Sequence, residues 1–256
     1  MNDSELYEKF KPIHDKLTAY LTVNDICKNN DMESLRYLTK SEEYKQLVHP
    51  HLGTAYVNAC MLNRIEMVKY LLTEPGLTVN VPIRFHNYDA LIRACRNGNT
   101  DIVKYLLTSP ELKEHADVNA QDDSPLYAAL KGNHTEIIDY LLNSPNLEKH
   151  ANIGNALIHA IEKDDLNTIE RIYLSFSDLY SDKTDELFMV AYRNKSMATL
   201  HYLIFDKNIQ KTEEISNCLI ENPNIEVERL FQQRELNDNL NNTLHTNINK
   251  TKVIKL

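Results

Sequence analysis

Tyr105-Leu106-Leu107-Thr108-Ser109-Pro110-Glu111-Leu112-Lys113-Glu114-His115-Ala116-Asp117-Val118 returns 35 residues later as Tyr140-Leu141-Leu142-Asn143-Ser144-Pro145-Asn146-Leu147-Glu148-Lys149-His150-Ala151-Asn152-Ile153. A third copy lies upstream, where Met67 to Pro75 aligns with Ile102 to Pro110 at the same offset. A fixed period of this length marks a repeat architecture in which each unit is one supersecondary element. Inside a unit the apolar residues Leu91, Ala94 and Cys95, then Ile102, Val103, Leu106 and Leu107, fall at helical spacing and predict two helices. Gly98-Asn99 separates them as a turn, Thr100-Asp101 offers oxygens to the first N–H groups of the second helix, and Ser109-Pro110 ends it. Neither helix can bury its apolar face alone, so the units must stack.

Ser124-Pro125-Leu126-Tyr127-Ala128-Ala129 resembles the Thr-Pro-Leu-His-x-Ala helix start of the ankyrin repeat. Gly98 to Leu107 resembles its Gly-His-x-x-Ile-Val-x-x-Leu-Leu core, and Ala116-Asp117-Val118-Asn119-Ala120 its loop without the leading Gly. The resemblance implies an all-α ankyrin-repeat solenoid: antiparallel helix pairs side by side, loop fingers projecting from one edge and a concave face that binds proteins. Two departures stand out. A Pro-Glu-Leu-Lys insertion follows the second helix, with His115 and His150 where the family has Gly, and the finger Val81-Pro82-Ile83-Arg84-Phe85-His86-Asn87-Tyr88 is longer than its neighbour by four residues.

Degenerate copies flank the clear ones and give about six units. The expected organisation is an N-terminal capping region with a degenerate repeat over 1–50, clear repeats over 51–153, degenerate repeats over 154–206, a C-terminal cap over 207–236, and a flexible polar tail, with at most one frayed helix, over 237–256. Terminal units are expected to be atypical because an end must show one polar face to water.

The chain has 256 residues and a net charge of −9, an unfavourable balance for a general nucleic-acid binder, which needs surplus Lys and Arg against phosphate. Residues 51–100 carry five bases against three acids, whereas 101–206 carry nine against eighteen, so an elongated surface runs from mildly basic to acidic. The first residues, Met1-Asn2-Asp3-Ser4-Glu5, lack the basic and apolar regions of a secretory signal, and no run of 18 apolar residues occurs. A cytoplasmic protein without membrane insertion is expected.

Cys27, Cys60 and Cys95 occupy equivalent repeat positions, the last two directly after Ala59 and Ala94. Neighbouring helices lie about 8–10 Å apart, too far for a disulfide or a shared zinc, so these thiols read as core packing. His115 and His150 form a row and not a cluster, and His134 fits a structural turn position. Single glycines cannot cradle a phosphate, and no nucleophile elbow or metal motif is present. No metal, no cofactor and no catalysis are expected; an enzyme with a cryptic site in 207–236 is the minor alternative.

The Tyr70, Tyr105 and Tyr140 row reads as a core ladder. The concave groove is expected to be lined by Phe85, His86, Tyr88, Gln121, Asp122 and Asp123 on the fingers, with Arg93, Arg96 and Tyr127 on the first helices behind. For Phe85 the alternative is that it folds back onto its neighbour. The expected role is that of a monomeric module binding a protein partner. By resemblance to bacterial ankyrin-repeat proteins it is either an effector secreted into a host cell without a classical signal peptide or an internal regulator or inhibitor.

Overall fold

The computed structural model describes residues 3–11, 13, 16–77, 81–86, 88–176 and 184–253, and among them every regular element is a helix. In chain order these are α1 (Asp3–Phe10), α2 (Lys16–Asn29), α3 (Met32–Lys40), α4 (Lys45–Val48), a 3-10 turn (His49–His51), α5 (Leu52–Met61), α6 (Ile65–Thr73), α7 (Asp89–Asn97), α8 (Thr100–Thr108), α9 (Ala120–Gly132), α10 (Thr135–Asn143), α11 (Ile153–Glu162), α12 (Leu166–Ser175), α13 (Thr184–Asn194), α14 (Met197–Phe205), α15 (Glu213–Glu221) and α16 (Ile225–Val253). They form two compact units, 1–156 and 157–256, the boundary falling within α11.

One turn geometry recurs through both units. Each first helix ends on a residue in the left-handed region: Asn30 (φ 56°), Asn63 (59°), Gly98 (76°), Asn133 (60°), Asp164 (50°) and Lys195 (58°). The next residue then donates its backbone N–H five residues back, from Asp31 to Ile26, Arg64 to Ala59, Asn99 to Ala94, His134 to Ala129, Asp165 to Ala160 and Ser196 to Ala191, at 2.9–3.0 Å. This is the Schellman closure that satisfies an orphan carbonyl at a helix end, and Gly or Asn suits its left-handed position because their steric cost there is lowest. Among the described residues six such turns join six helix pairs, where the sequence leads one to expect about six units.

The residue after the left-handed position also ties neighbouring pairs together. In the first unit Arg64 donates from Nη2 to the Lys28 carbonyl at 3.0 Å, Asn99 from Nδ2 to the carbonyls of Cys60 and Met61 at 2.6 and 3.1 Å, and His134 from Nε2 to the Arg96 carbonyl at 2.9 Å. Each reaches the C-terminal carbonyls of the preceding first helix, which lack intrahelical donors. The His134 ring fills the space beside Gly98 and Gly132, where an added Cβ would sit 2.6 and 2.4 Å from its atoms. In the second unit Ser196 repeats the reach, its hydroxyl donating to the Ile161 carbonyl at 2.6 Å.

This use of the position corrects one expectation. The second helix of the clear repeat starts at Thr100 with Asn99 as N-cap, and Asn99 makes no capping bond because its amide is committed to the preceding unit. Side-chain caps occur where the residue is a short acid, Asp31 accepting from the Ser34 N–H and Asp165 from that of Thr168.

The core of the first unit follows the sequence register. Leu91, Ala94, Cys95, Ile102, Val103, Leu106 and Leu107 are all buried, with α5 packed on α7 and α7 on α9. On the second helices Tyr70 and Tyr105 are buried and Tyr140 half-buried. The Tyr70 and Tyr140 hydroxyls meet Thr39 and Thr108 of the preceding units at 2.8 and 3.0 Å, and that of Tyr105 meets Glu111 at 3.2 Å. A cation from the preceding unit covers each ring: Arg36 over Tyr70 at 5.6 Å, Lys69 over Tyr105 at 5.8 Å and Lys104 over Tyr140 at 5.7 Å.

In the second unit Phe188 is fully buried against Tyr192 and Phe231, and buried Arg234 donates to the Ile209 carbonyl and the Asn208 side chain. The segment expected as a polar tail from residue 237 is helical as far as Val253, continuing α16; residues 254–256 lie outside the described residues.

Two substitutions test this register. Ala94→Asp places an unpaired carboxylate at a position with no solvent exposure and should lower the unfolding free energy by about 3–5 kcal/mol, read by denaturant unfolding followed by circular dichroism. Lys195→Gly removes a Cβ from a left-handed residue on the surface and should raise stability by about 1 kcal/mol in the same assay.

Candidate interaction surface

The long finger does not project as a free loop. Val81 and Ile83 are buried, Phe85 and Tyr88 are half-buried, and only Pro82, Arg84 and His86 stand exposed; Asn87 lies outside the described residues. The Phe85 ring lies over Gly53 at the start of α5, so close that a Cβ there would sit 2.3 Å from it. The fold-back alternative for Phe85 is therefore the one adopted, because a glycine on the neighbouring first helix leaves a slot for the ring. The Tyr56 hydroxyl reaches the Ile83 carbonyl at 3.5 Å and holds the finger from beneath.

His86 stacks on Phe85 with centroids 4.1 Å apart, so the fixed phenyl ring presents the imidazole to solvent. Both His86 (φ 47°) and Tyr88 (φ 66°) are left-handed, and Tyr88 serves as N-cap of α7 without a side-chain bond. Glycine or asparagine would adopt these angles at lower cost; a bulky residue there carries strain of about 1–2 kcal/mol.

The remaining expected groove residues fall into three environments. On α7, Arg93 pairs with Asp89 at 2.8 Å, its Nη1 lying 3.9 Å from the Met61 sulfur, while Arg96 is exposed one turn further on. Tyr127 is buried on α9, its hydroxyl 3.3 Å from Lys131 Nζ, so it supports the surface and does not line it. Gln121 is exposed but belongs to the first turn of α9, which begins at Ala120; no projecting finger exists at Gln121-Asp122-Asp123. Its left-handed φ of 50° and the Ser124 hydroxyl donating to its carbonyl at 2.7 Å make that turn irregular, which fits Pro125 one residue later. The side chains of Asp122 and Asp123 lie outside the described residues.

The inserted loops are closed in themselves. His115 and His150 each donate from Nε2 to the carbonyl of the residue that ends the preceding helix, Ser109 and Ser144, both at 2.9 Å. The backbone N–H groups of Ala116 and Ala151 return to Leu106 and Leu141 at 2.8 and 2.9 Å. Histidine replaces the family's glycine here because its ring spans the extra residues and satisfies the helix-end carbonyl. Where the first long finger meets the first inserted loop, a groove of about 540 Å³ has Leu72, Val81, Ile83 and Leu112 as its apolar wall and the Arg84–Glu114 ion pair, 3.6 Å, at its rim.

All four cysteines are free and buried. Burial alone pushes the Cys27 thiol up to about 12 and those of Cys60 and Cys95 well above the ordinary thiol range. Cys27 donates weakly to the Ala55 carbonyl at 3.6 Å. Among the described residues no group of three His, Cys, Asp or Glu side chains is placed to hold a metal, and no helix is long and apolar enough to cross a membrane.

Residues 24–122 match the family model for ankyrin repeats, in three copies. The match covers 99 of the 256 residues. No curated protein and no solved structure matches it significantly. The matched span contains the first three left-handed turns, Asn30, Asn63 and Gly98, and the turns at Asn133, Asp164 and Lys195 extend the same geometry beyond it. Ankyrin repeats are protein-interaction modules and in general a non-catalytic fold.

Two outcomes are expected. Gly53→Ala should displace the Phe85 ring and cost about 1–3 kcal/mol, and Phe85→Ala should abolish that penalty, so a double-mutant cycle measured by chemical denaturation returns clear non-additivity. Thiol counting near neutral pH should leave Cys27, Cys60 and Cys95 unmodified until denaturant is added, with Cys218, which lines a surface groove beside Tyr192 and Asn222, reacting first.

Proposed function

We propose that this protein is a non-catalytic module that holds a partner protein against the finger 81–88 and the exposed faces of α7 and α9. The observation that carries the reading is the exposed His86, stacked on an anchored Phe85 and bracketed by its own and Tyr88's left-handed backbones. Strain of this kind persists only where packing enforces it, and it collects at binding sites. In this reading His86, Arg93, Arg96, Gln121, Asp122 and Asp123 meet the partner, Tyr88 flanks them, and Phe85 and Tyr127 hold the surface from behind.

The buried free thiols support work in a reducing compartment such as a cytoplasm, with the chain acting as a monomer. The sequence resemblance to bacterial ankyrin-repeat effectors supports action on a host protein after export. The competing setting is regulation of a protein inside the producing cell.

Capture by the immobilised protein from bacterial and eukaryotic lysates, read by mass spectrometry, tests the module and its setting together. Once the partner is in hand, a His86→Ala, Arg93→Ala double variant should retain its melting temperature to within about 2 °C, since both side chains are exposed, and should bind about 30-fold more weakly by titration calorimetry. Unchanged affinity moves the site off the finger. Failure of both lysates to yield a saturable partner counts against the module itself.

A further inference from the structure

Residues 1–156 carry 16 bases against 21 acids, a net charge of −5, yet the finger and α7, residues 81–98, carry Arg84, Arg93 and Arg96 against Asp89 alone. With Glu114, which pairs with Arg84, counted in, the finger and α7 face of the first unit carries a local charge of +1 on an acidic body. The first-helix residues that follow Cys27, Cys60, Cys95 and Leu130 form one repeat row, Lys28, Met61, Arg96 and Lys131. Most cations in and around this row are already engaged inside the unit. Lys28 pairs with Asp25 at 3.4 Å, Arg93 with Asp89 at 2.8 Å, Arg84 with Glu114 at 3.6 Å, and Lys131 lies 3.3 Å from the Tyr127 hydroxyl. Arg96 differs: among the described residues its exposed guanidinium has no hydrogen bond, ion pair or ring contact.

Its backbone, by contrast, is held. His134 donates to the Arg96 carbonyl at 2.9 Å, and the left-handed Gly98 closes the helix two residues later. The cation is thus carried on a fixed base with only its side chain left to order on binding, which lowers the entropic cost of a contact. A guanidinium presents its N–H groups in a fork that matches a carboxylate with two parallel bonds.

We propose that this face of the first unit docks an acidic segment of the partner protein, a carboxylate of that segment pairing with Arg96. The inference rests on the interaction-module reading above and gives the partner a chemistry. Nucleic acid is the less favourable polyanion, because one unengaged arginine on this face of a chain of net charge −9 offers little phosphate neutralisation.

Fluorescence anisotropy on the full chain tests it with three labelled probes: a short alternating Glu/Tyr peptide, the matching Lys/Tyr peptide, and a short oligothymidylate. The expected result is saturable binding of the Glu/Tyr peptide that weakens with added salt, falls about tenfold with Arg96→Glu, and is unchanged by Lys163→Glu, an exposed cation of the second unit. Circular dichroism of both variants checks that the repeats are intact. Absence of Glu/Tyr binding, preference for either other probe, or equal loss in the two variants overturns the proposal. A lysate partner whose affinity is indifferent to Arg96→Glu also overturns it while leaving the interaction module standing.

Discussion

The structure depends on how a helix end is closed. A first helix of nine to fourteen residues finishes with carbonyls that have no intrahelical donor, and burying them unpaired against the next unit would cost about 1–3 kcal/mol each. The left-handed residue turns the chain so that the following N–H answers one of these carbonyls from within the pair. The side chain of that same following residue then answers another in the pair before it: Arg64, Asn99 and His134 in the first unit, Ser196 in the second. One position therefore ends a helix, starts the next and fixes the register between units. Residues as unlike as arginine, asparagine, histidine and serine serve because only a donor of suitable reach is required.

Small residues complete the same device. Ala59, Ala94, Ala129, Ala160 and Ala191 accept the closing N–H, and each is fully buried. Cys60 and Cys95, next in line, are small enough to be covered without displacing the adjoining helix, and burial that withholds solvent from a thiol also withholds its reactivity. On the second helices the ring of each ladder tyrosine receives a cation from the unit before it, so the outer faces are also cross-linked by polar contacts spaced at the repeat period. Each exposed contact is individually weak, but their alignment disfavours a slipped register.

The repeat register, the helix pairs and the buried set were legible because periodic burial leaves a periodic sequence. Gly98-Asn99 stood out as a turn, whereas Asp164 and Lys195 gave no turn signal, since their left-handed angles are imposed by the closing bond and not preferred by the residue. The finger misled for a related reason. Whether Phe85 projects or folds back depends on Gly53, thirty-two positions earlier in the chain and in no local pattern with it. The Gln121 turn misled because Pro125, a familiar helix opener, sits inside α9 and not at its first residue. Tyr127 could be placed on a helix from sequence, but its burial follows from how closely α9 lies against α7.

These constraints divide the repeat edges by what they leave unsatisfied. At the turn edge the polar groups are spent inside the molecule: helix-end carbonyls meet side chains of the next unit, and His134 is wedged between two glycines. Such an edge tolerates few changes in its backbone, and what it leaves to a partner is a side chain such as Arg96, whose carbonyl the turn holds. The inserted loops likewise close on themselves through His115 and His150. At the finger the balance is reversed, because the anchor lies in Phe85 and the buried Val81 and Ile83, while backbone strain sits beside them at His86 and Tyr88. A scaffold whose register is fixed elsewhere can hold such strained side chains in place without relying on them for folding, which is the condition for a loop to carry recognition.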